Sequence, residues 1–538
     1  MKWFPLCNYT HYSLLKGFSK PYELVAKCVK NGYTSCGIAD YKSISGSVTF
    51  YNVCVEAGIK PIIGCSFDDF KLFAKNKDGW NELIQIASSV EPDGSYNEDL
   101  LARLSTNGNL ITVARSKEVS PIKGDDCFIH CRDTQPSYYA DQKDAILHRV
   151  LLCTKAKTTF PKMQKPDAHP EIRPFFNTDK MYLKDAHEVD QESEVLSRIN
   201  DKCEEYNILH KPILPDFDPP DGLSQDDYLW KLCLEGWEEL LVPDGKVDDE
   251  DKIQEYRARL EKEFKVIQDA ELCGYFLIVQ DILMYVKRMG WRAGHGRGSA
   301  AGSLISYLMG ITHIDPIEFD LIFERFYNSG RNTADRVSLP DIDIDIPGGK
   351  RDEIIAYIKN KYGHKKVGQM LTFGRLRGRS AIKEVMRVNE ACGFAEVNEI
   401  TKYIPDEADI QDQLQQLDEE DRSIILWALT NNSKELMDFC HLDDEGGLAG
   451  PYAEYFEQAI RMEGTFKSQG KHPAGVVISA FDLDTVCPMV NQTKGGEKIA
   501  GLEMDDLELL GHTKFDVLAI VLLDKLMMIS SRSKLVQS

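Results

Sequence analysis

Apolar positions along this chain recur at two spacings, and a change of spacing marks a change of element. Residues 1–67 alternate short apolar runs with turns: HYSLLKG (11–17), a helical ELVAKCVKNG (23–32), SCGIAD (35–40), a helical VTFYNVCVEAG (48–58) and KPIIGCSF (60–67). That strand–helix–strand rhythm predicts a parallel α/β unit. From 68 to 215 the pattern weakens; DAILHRVLLCTK (144–155) reads as a helix and PDAHPEIRPFFN (166–177) as proline-broken loop. PILPDFDPPDGLSQ (212–225) is expected to link two domains. Beyond it Ile253, Tyr256, Leu260, Phe264 and Ile267 form one stripe of a long helix, and GYFLIVQDILMYVKRMG (274–290) continues helical.

The period then becomes two. In SLPDIDIDIP (338–347) Asp341, Asp343 and Asp345 face one way and Ile342, Ile344 and Ile346 the other. KRDEIIAYIKNKYG (350–363) is an amphipathic helix, VGQMLTF (367–373) is strand-like, and 395–465, including QDQLQQLDEEDRSIILWAL (411–429), reads as an acidic helical subdomain inserted in the chain. KHPAGVVIS (471–479) returns to strand, and LELLGHTKFDVLAIVLLDKLMM (507–528) predicts a turn, a strand ending near Asp516 and a helix. There is no internal repeat and no low-complexity tract.

Chemistry concentrates between Gly294 and Asp345. Three carboxylates on one face of a buried strand are unfavourable unless a cation sits there, and a divalent metal is the simplest one. Upstream, in GHGRGSAAGS (294–303), glycines let the backbone approach a ligand, and Ser299 is expected to open a helix whose N–H groups suit phosphate. Asp516 in KFD is the best-placed carboxylate to complete a two-metal cluster, with Lys514 on the same strand face and Arg325 as a second neutraliser of phosphate charge. An exposed acidic edge strand is the structural alternative. Gly296, Gly298 and Ala301 also satisfy G-x-G-x-x-A, but a dinucleotide site expects one acidic residue about 20 residues on, not a triple-Asp strand.

A chain of 538 residues has room for about three domains. Its net charge of −22 argues against binding nucleic acid by bulk attraction, so such binding needs a local basic patch. One runs from Lys350 to Arg387 and includes Arg375, Arg377, Arg379 and Lys383. A solvated helical face is the usual reading of such a run, but its place directly after the acidic strand favours phosphate-backbone contact. The 14 cysteines are scattered without a CxxC pair, as in a reducing, cytoplasmic compartment, and no targeting segment or membrane span is legible.

GHGRGSAAGSLISYLMGITHIDPIEFDLIFERF, VSLPDIDID, KYGHKKVGQMLTFG, KHPAGVVIS and KFD, in this order, strongly resemble the bacterial DNA polymerase III alpha family, the C-family replicative polymerases. So do RLEKEFKVIQDAELCGYFLIVQDI and the N-terminal EAGIKPIIG. The resemblance implies an α/β multidomain fold: a degenerate PHP-like domain (1–215), a helical connector (216–290), and a polymerase beta-like nucleotidyltransferase palm (291–394 and 466–538) with an inserted helical thumb (395–465). It implies that Asp341, Asp343 and Asp516 are catalytic and hold two Mg²⁺ ions, with Asp345 a neighbour. Gly298, Ser299, Arg325 and Lys514 would bind the deoxynucleoside triphosphate. Arg375, Arg377, Arg379 and Lys383 would lie near primer-template DNA, although Arg375 and Arg377 stand where relatives carry uncharged residues, and His295 replaces a proline.

Two departures qualify the resemblance. In the PHP-like domain Cys7 and Tyr9 occupy the expected His-x-His, Tyr41 follows Asp40 where a histidine is expected, and Ser66 replaces a glutamate; only Asp40 keeps a ligand type. No zinc or manganese is therefore expected there; His11 and His148 are more readily packed residues than ligands. Second, the family continues through fingers and clamp-binding domains, so the expectation is either a second polypeptide that completes a split polymerase, in a bacterial or phage-infected cell, or a truncated product. Two other classes stay open, a non-catalytic module that binds DNA or a partner, and a phosphoesterase working from the PHP-like domain.

Overall fold

The computed structural model describes all residues except 1–2, 166, 190–191, 329, 331–338, 418–421, 493–494 and 538. Its strands are β1 (Ser35–Tyr41), β2 (Lys60–Ser66), β3 (Phe70–Ala74), β4 (Leu110–Ala114), β5 (Cys127–Ile129), β6 (Asp343–Pro347), β7 (Val367–Arg375), β8 (His441–Leu442), β9 (Leu448–Ala449), β10 (Phe466–Ile478), β11 (Met489–Val490), β12 (Ile499–Ala500) and β13 (Thr513–Ile520). The chain divides into two compact units, one of residues 1–207 with 373–470, the other of 208–372 with 471–538.

In the first unit the sheet order is β1-β2-β3-β4-β5. β1 and β2 are parallel, with helix Ser47–Glu56 between them in sequence, as the N-terminal rhythm predicts. The sheet is nonetheless mixed, because β3 pairs antiparallel with both β2 and β4. β3 and β4 were not legible: FKLFA and LITVA are short, almost wholly buried runs with no alternation to betray a strand. Residues 373–394, expected in the palm, belong to this unit. Helix Arg379–Asn389 turns Ile382, Val385 and Met386 into one core with Leu147 and Leu151 of helix Ala145–Ala156 and with Phe456. The acidic helical stretch contains helices Glu407–Gln415 and Ile424–Asn431; residues 418–421 of the expected run lie outside the described residues.

In the second unit the sheet order is β11-β12-β7-β10-β13-β6. β6 is an edge strand, paired parallel with β13 so that Asp343 lies opposite Asp516. The predicted alternation holds through it and the residue before it: Ile342, Ile344 and Ile346 are buried while Asp343 and Asp345 are half-buried. Ser338, the first residue of the predicted strand, lies outside the described residues. The isoleucines share a core with Tyr275, Phe276 and Ile278 of helix Cys273–Arg288, Ile354 and Ile358 of helix Arg351–Tyr362, and Val476, Phe515 and Val517. β13 runs on four residues past Asp516, to Ile520, before helix Val521–Gln537 begins. The expected linker is part of this unit: Ile213 N donates to Gly511 O at 2.8 Å, and Phe217 is buried in the core. Among the described residues no helix is long and apolar enough to cross a membrane.

Candidate metal and nucleotide site

The parallel pairing of β6 with β13 puts two carboxylates from distant parts of the chain side by side. Asp341, just before β6, joins them, and one ligand oxygen from each of Asp341, Asp343 and Asp516 lies within 4.8 Å of the others. Among the described residues this is where three metal-ligating side chains converge. Asp341 is exposed and the other two half-buried, so the cluster opens to solvent on one side.

Its charges do not balance. Lys514 Nζ donates to Asp516 Oδ2 at 2.9 Å and lies 3.6 Å from Asp341 Oδ1. Arg297 Nε lies 3.3 Å from Asp343 Oδ2 and its Nη2 3.2 Å from Asp345 Oδ1, an ion-pair approach in which that oxygen still lacks a hydrogen bond. Four carboxylates thus meet two cations, a deficit of two charges. Burial, and then the charges of Asp341, Asp516 and Asp345, hold the Asp343 carboxyl above the ordinary range, against the pull of Arg297. Burial works against the charge of Lys514, but its hydrogen bond to Asp516 and the charges of Asp516 and Asp341 outweigh it and hold its pKa up. Hard carboxylate oxygens, clustered, part-exposed and short of cations, fit a divalent ion of the Mg²⁺ type.

The glycine-rich turn differs from its expected form. Ser299 does not open an α-helix: Gly298–Gly302 is a 3₁₀ turn, and the helix that follows, Leu304–Leu308, is capped by Ser303, whose Oγ accepts from Ser306 N at 3.1 Å. Its first N–H groups are already taken, because Glu263 accepts from Leu304 N and Ile305 N. Phosphate therefore has no seat at that helix end, and the turn itself is what remains. Gly298 sits at φ +65° with open space beside it, a left-handed backbone that suits glycine. Gly294 N donates to Asp345 O at 2.9 Å, which ties the start of the turn to β6. Arg325 is exposed on the short helix Phe323–Phe326, which packs on the 3₁₀ turn, and no ion pair among the described residues joins it to the acidic cluster.

Arg297 was missed by sequence reasoning, although it stands inside the quoted turn and a triple-Asp strand called for a nearby cation. Glu263 was missed as well. Its signal was there: with Tyr256, Leu260 and Ile267 it occupies the buried stripe of helix Glu250–Asp269, an unusual place for a charge.

The basic run is split by the fold, since 350–372 and 373–387 lie in different units. Much of its charge is matched from afar in sequence: Lys361 pairs with Asp281, Arg377 with Glu407 and Arg379 with Asp406. Arg375 lies 5.2 Å over the Phe466 ring. Lys383 is exposed and makes no ion pair among the described residues.

At the PHP-like positions most polar side-chain atoms are engaged within the protein, the buried Nδ1 of neighbouring His11 being left without a hydrogen bond. Asp40 is fully buried and accepts from Thr10 N and Thr10 Oγ1, both at 2.7 Å, and from Ser13 Oγ at 2.6 Å. Tyr9 Oη and Ser66 Oγ hydrogen-bond to each other at 2.6 Å. His148 Nε2 donates to Lys16 O at 2.8 Å, and His11 stacks on Phe466 at 3.9 Å. One carboxylate already saturated by hydroxyl and amide donors, facing a tyrosine and a serine, does not fit a zinc or manganese cluster.

Comparison with known proteins agrees with this architecture. Residues 6–147 match the model of the PHP domain and residues 227–519 that of the bacterial DNA polymerase III alpha NTPase domain. The chain is 28% identical over 585 residues to the DNA polymerase III subunit alpha of Pseudomonas aeruginosa, 30% over 576 residues to that of Bacillus subtilis and 29% over 581 residues to that of Escherichia coli. Each alignment covers 95% of this chain and 47% of the relative. The chain thus spans about half the length of the curated relatives it matches.

Proposed function

Because the chain belongs to the bacterial DNA polymerase III alpha family, we propose that it carries the nucleotidyl-transfer centre of a replicative DNA polymerase. In that reaction the primer 3′-oxygen forms a bond to the α-phosphorus of a deoxynucleoside triphosphate. The α–β phosphoanhydride bond breaks, pyrophosphate leaves and the hydroxyl proton is lost. The observation that carries the reading is the convergence of Asp343 and Asp516, on the adjacent strands β6 and β13, with Asp341 just before β6.

These three aspartates would hold two Mg²⁺ ions, which when bound supply positive charge to the attacking and leaving oxygens. Lys514, fixed beside Asp516, keeps its proton and places a cation at the edge of the cluster. Arg297 offsets part of the charge of Asp343 and Asp345. Gly298 and Ser299 offer backbone N–H groups to the triphosphate, and Arg325, exposed beside the turn, meets its charge. Arg375, Arg377, Arg379 and Lys383 contact the primer-template backbone. The PHP-like domain holds no catalytic metal in this reading, and the remainder of the substrate site comes from sequence outside these 538 residues.

Primer extension with Mg²⁺ tests this, using the chain mixed with a polypeptide that carries the remaining half of the family's length. Extension by the mixture, abolished by Asp343→Asn, is the expected result. Extension that survives that substitution, with the variant chain folded, would place the chemistry elsewhere.

A further inference from the structure

One buried carboxylate holds the glycine-rich turn from behind. Glu263, fully buried in helix Glu250–Asp269, accepts from Leu304 N at 3.1 Å through Oε1 and from Ile305 N at 3.2 Å and Ser303 Oγ at 3.0 Å through Oε2. One helical turn earlier, Arg259 Nε donates to Glu263 Oε1 at 2.6 Å, and its Nη2 donates to Gly302 O at 2.7 Å and to Leu321 O at 3.0 Å. The same helix sends Lys262 to Glu324, the neighbour of Arg325. Two side chains thus fasten the end of the 3₁₀ turn, the start of helix Leu304–Leu308 and the segment leading into Phe323–Phe326.

Stability alone does not call for this arrangement. A buried ion pair is commonly replaced by apolar residues of equal volume without loss. What such residues cannot supply is direction, and here a guanidinium fork and a carboxylate, bonded to each other, make five directed bonds to a glycine-containing segment. The carboxylate also takes up the first backbone N–H groups of helix Leu304–Leu308.

Resting on the nucleotidyl-transfer reading, we infer that Glu263 and Arg259 are positioning residues for the incoming nucleotide. They hold the 298–302 turn and the Arg325-bearing helix as one body. The triphosphate is then met by the turn and Arg325 in a single register. Neither residue touches the substrate.

Glu263→Gln keeps the shape but presents two N–H groups where only acceptors are wanted, so it loosens the turn without creating a cavity. In the completed polymerase the KM for deoxynucleoside triphosphate should rise on the order of 10-fold or more, with the KM for primer-template and the Mn²⁺ affinity unchanged. Amide exchange of residues 298–305 in the 538-residue chain alone should quicken, while exchange in β13 does not. Ser303→Ala and Arg259→Lys each remove one arm of the device; they should give the same split at smaller size, and they decide the matter if the glutamine variant does not fold. A folded variant with unchanged nucleotide KM, or one in which both KM values worsen together, overturns the inference. Failure of the nucleotidyl-transfer reading looks different: the unsubstituted enzyme then extends nothing, or Asp343→Asn stays active, while the exchange measurement still reports whether Glu263 holds the turn.

Discussion

Asp343 and Asp516 face each other because the parallel register of β6 and β13 leaves them no alternative. At this scale the sequence was informative for a physical reason: strict alternation exposes a carboxylate row, and a lysine two residues from Asp516 must share its face. The partners of those carboxylates were less legible. Nothing local in the sequence says that Arg297 reaches Asp343 and Asp345, since that contact depends on how the turn returns over the sheet edge. Two buried histidines give a prediction of another kind. Burial holds His148 and His512 neutral down to about pH 4. The unfolded chain protonates them near 6.5, so between these values it binds more protons than the native state, and stability rises with pH across that window. Each histidine should cost about 3 kcal/mol as pH falls from 7 to 4. Urea unfolding of His148→Gln should show a shallower dependence between pH 6.5 and 5 than the unsubstituted chain; an equal slope would remove that histidine from the account.

Helices with a strong stripe and strands with strict alternation were readable. Glu250–Asp269, Cys273–Arg288 and Arg351–Tyr362 fall within a few residues of expectation, as does β7. Elements failed where burial is two-sided, as in β3 and β4, or where glycine and serine leave the choice of turn to tertiary contacts, as at Gly298–Gly302. Gly302 illustrates the second case. A Cβ there would lie 2.9 Å from the carbonyl oxygen of Ile322, a backbone atom that cannot rotate aside. Gly302→Ala should therefore force the turn and helix Phe323–Phe326 apart, at about 1–3 kcal/mol in thermal or denaturant unfolding; a neutral result would mean that the segments part without cost. For the basic run the fold changes what can be expected of each residue. Lys383, exposed and unpaired among the described residues, should lower the slope of log affinity against log salt by about 0.9 when changed to alanine, if it meets a phosphate. Arg377, already paired with Glu407, should show a smaller change unless DNA displaces that partner; an unchanged slope for both would remove the run from the DNA interface.

On the scale of the molecule, the family was readable because long motifs keep their order, whereas the division of the chain was not. Helix Arg379–Asn389 follows β7 closely in sequence yet builds its core with helix Ala145–Ala156, and sequence adjacency gave no hint of it. The expected linker at 212–225 looked irregular because prolines break its periodicity, but its backbone is tied to Gly511 and its Phe217 is core. The PHP-like domain keeps its sheet, while Tyr9 and Ser66 hydrogen-bond to each other and Thr10 and Ser13 donate to Asp40. Such a domain should take up no stoichiometric zinc, measurable by elemental analysis of the purified chain; one zinc per chain, retained in Asp343→Asn and lost in Asp40→Asn, would reverse that assignment.

The central claim is that Asp341, Asp343 and Asp516 form a divalent-metal site, and it can be tested on the 538-residue chain without any completing polypeptide. Free Mn²⁺ followed by electron paramagnetic resonance during titration should fall as the unsubstituted chain binds it. Binding should weaken at least tenfold, about 1.4 kcal/mol, in both Asp343→Asn and Asp516→Asn. Equal Mn²⁺ binding by the three proteins would contradict the account, because the ion would then be held somewhere other than between β6 and β13.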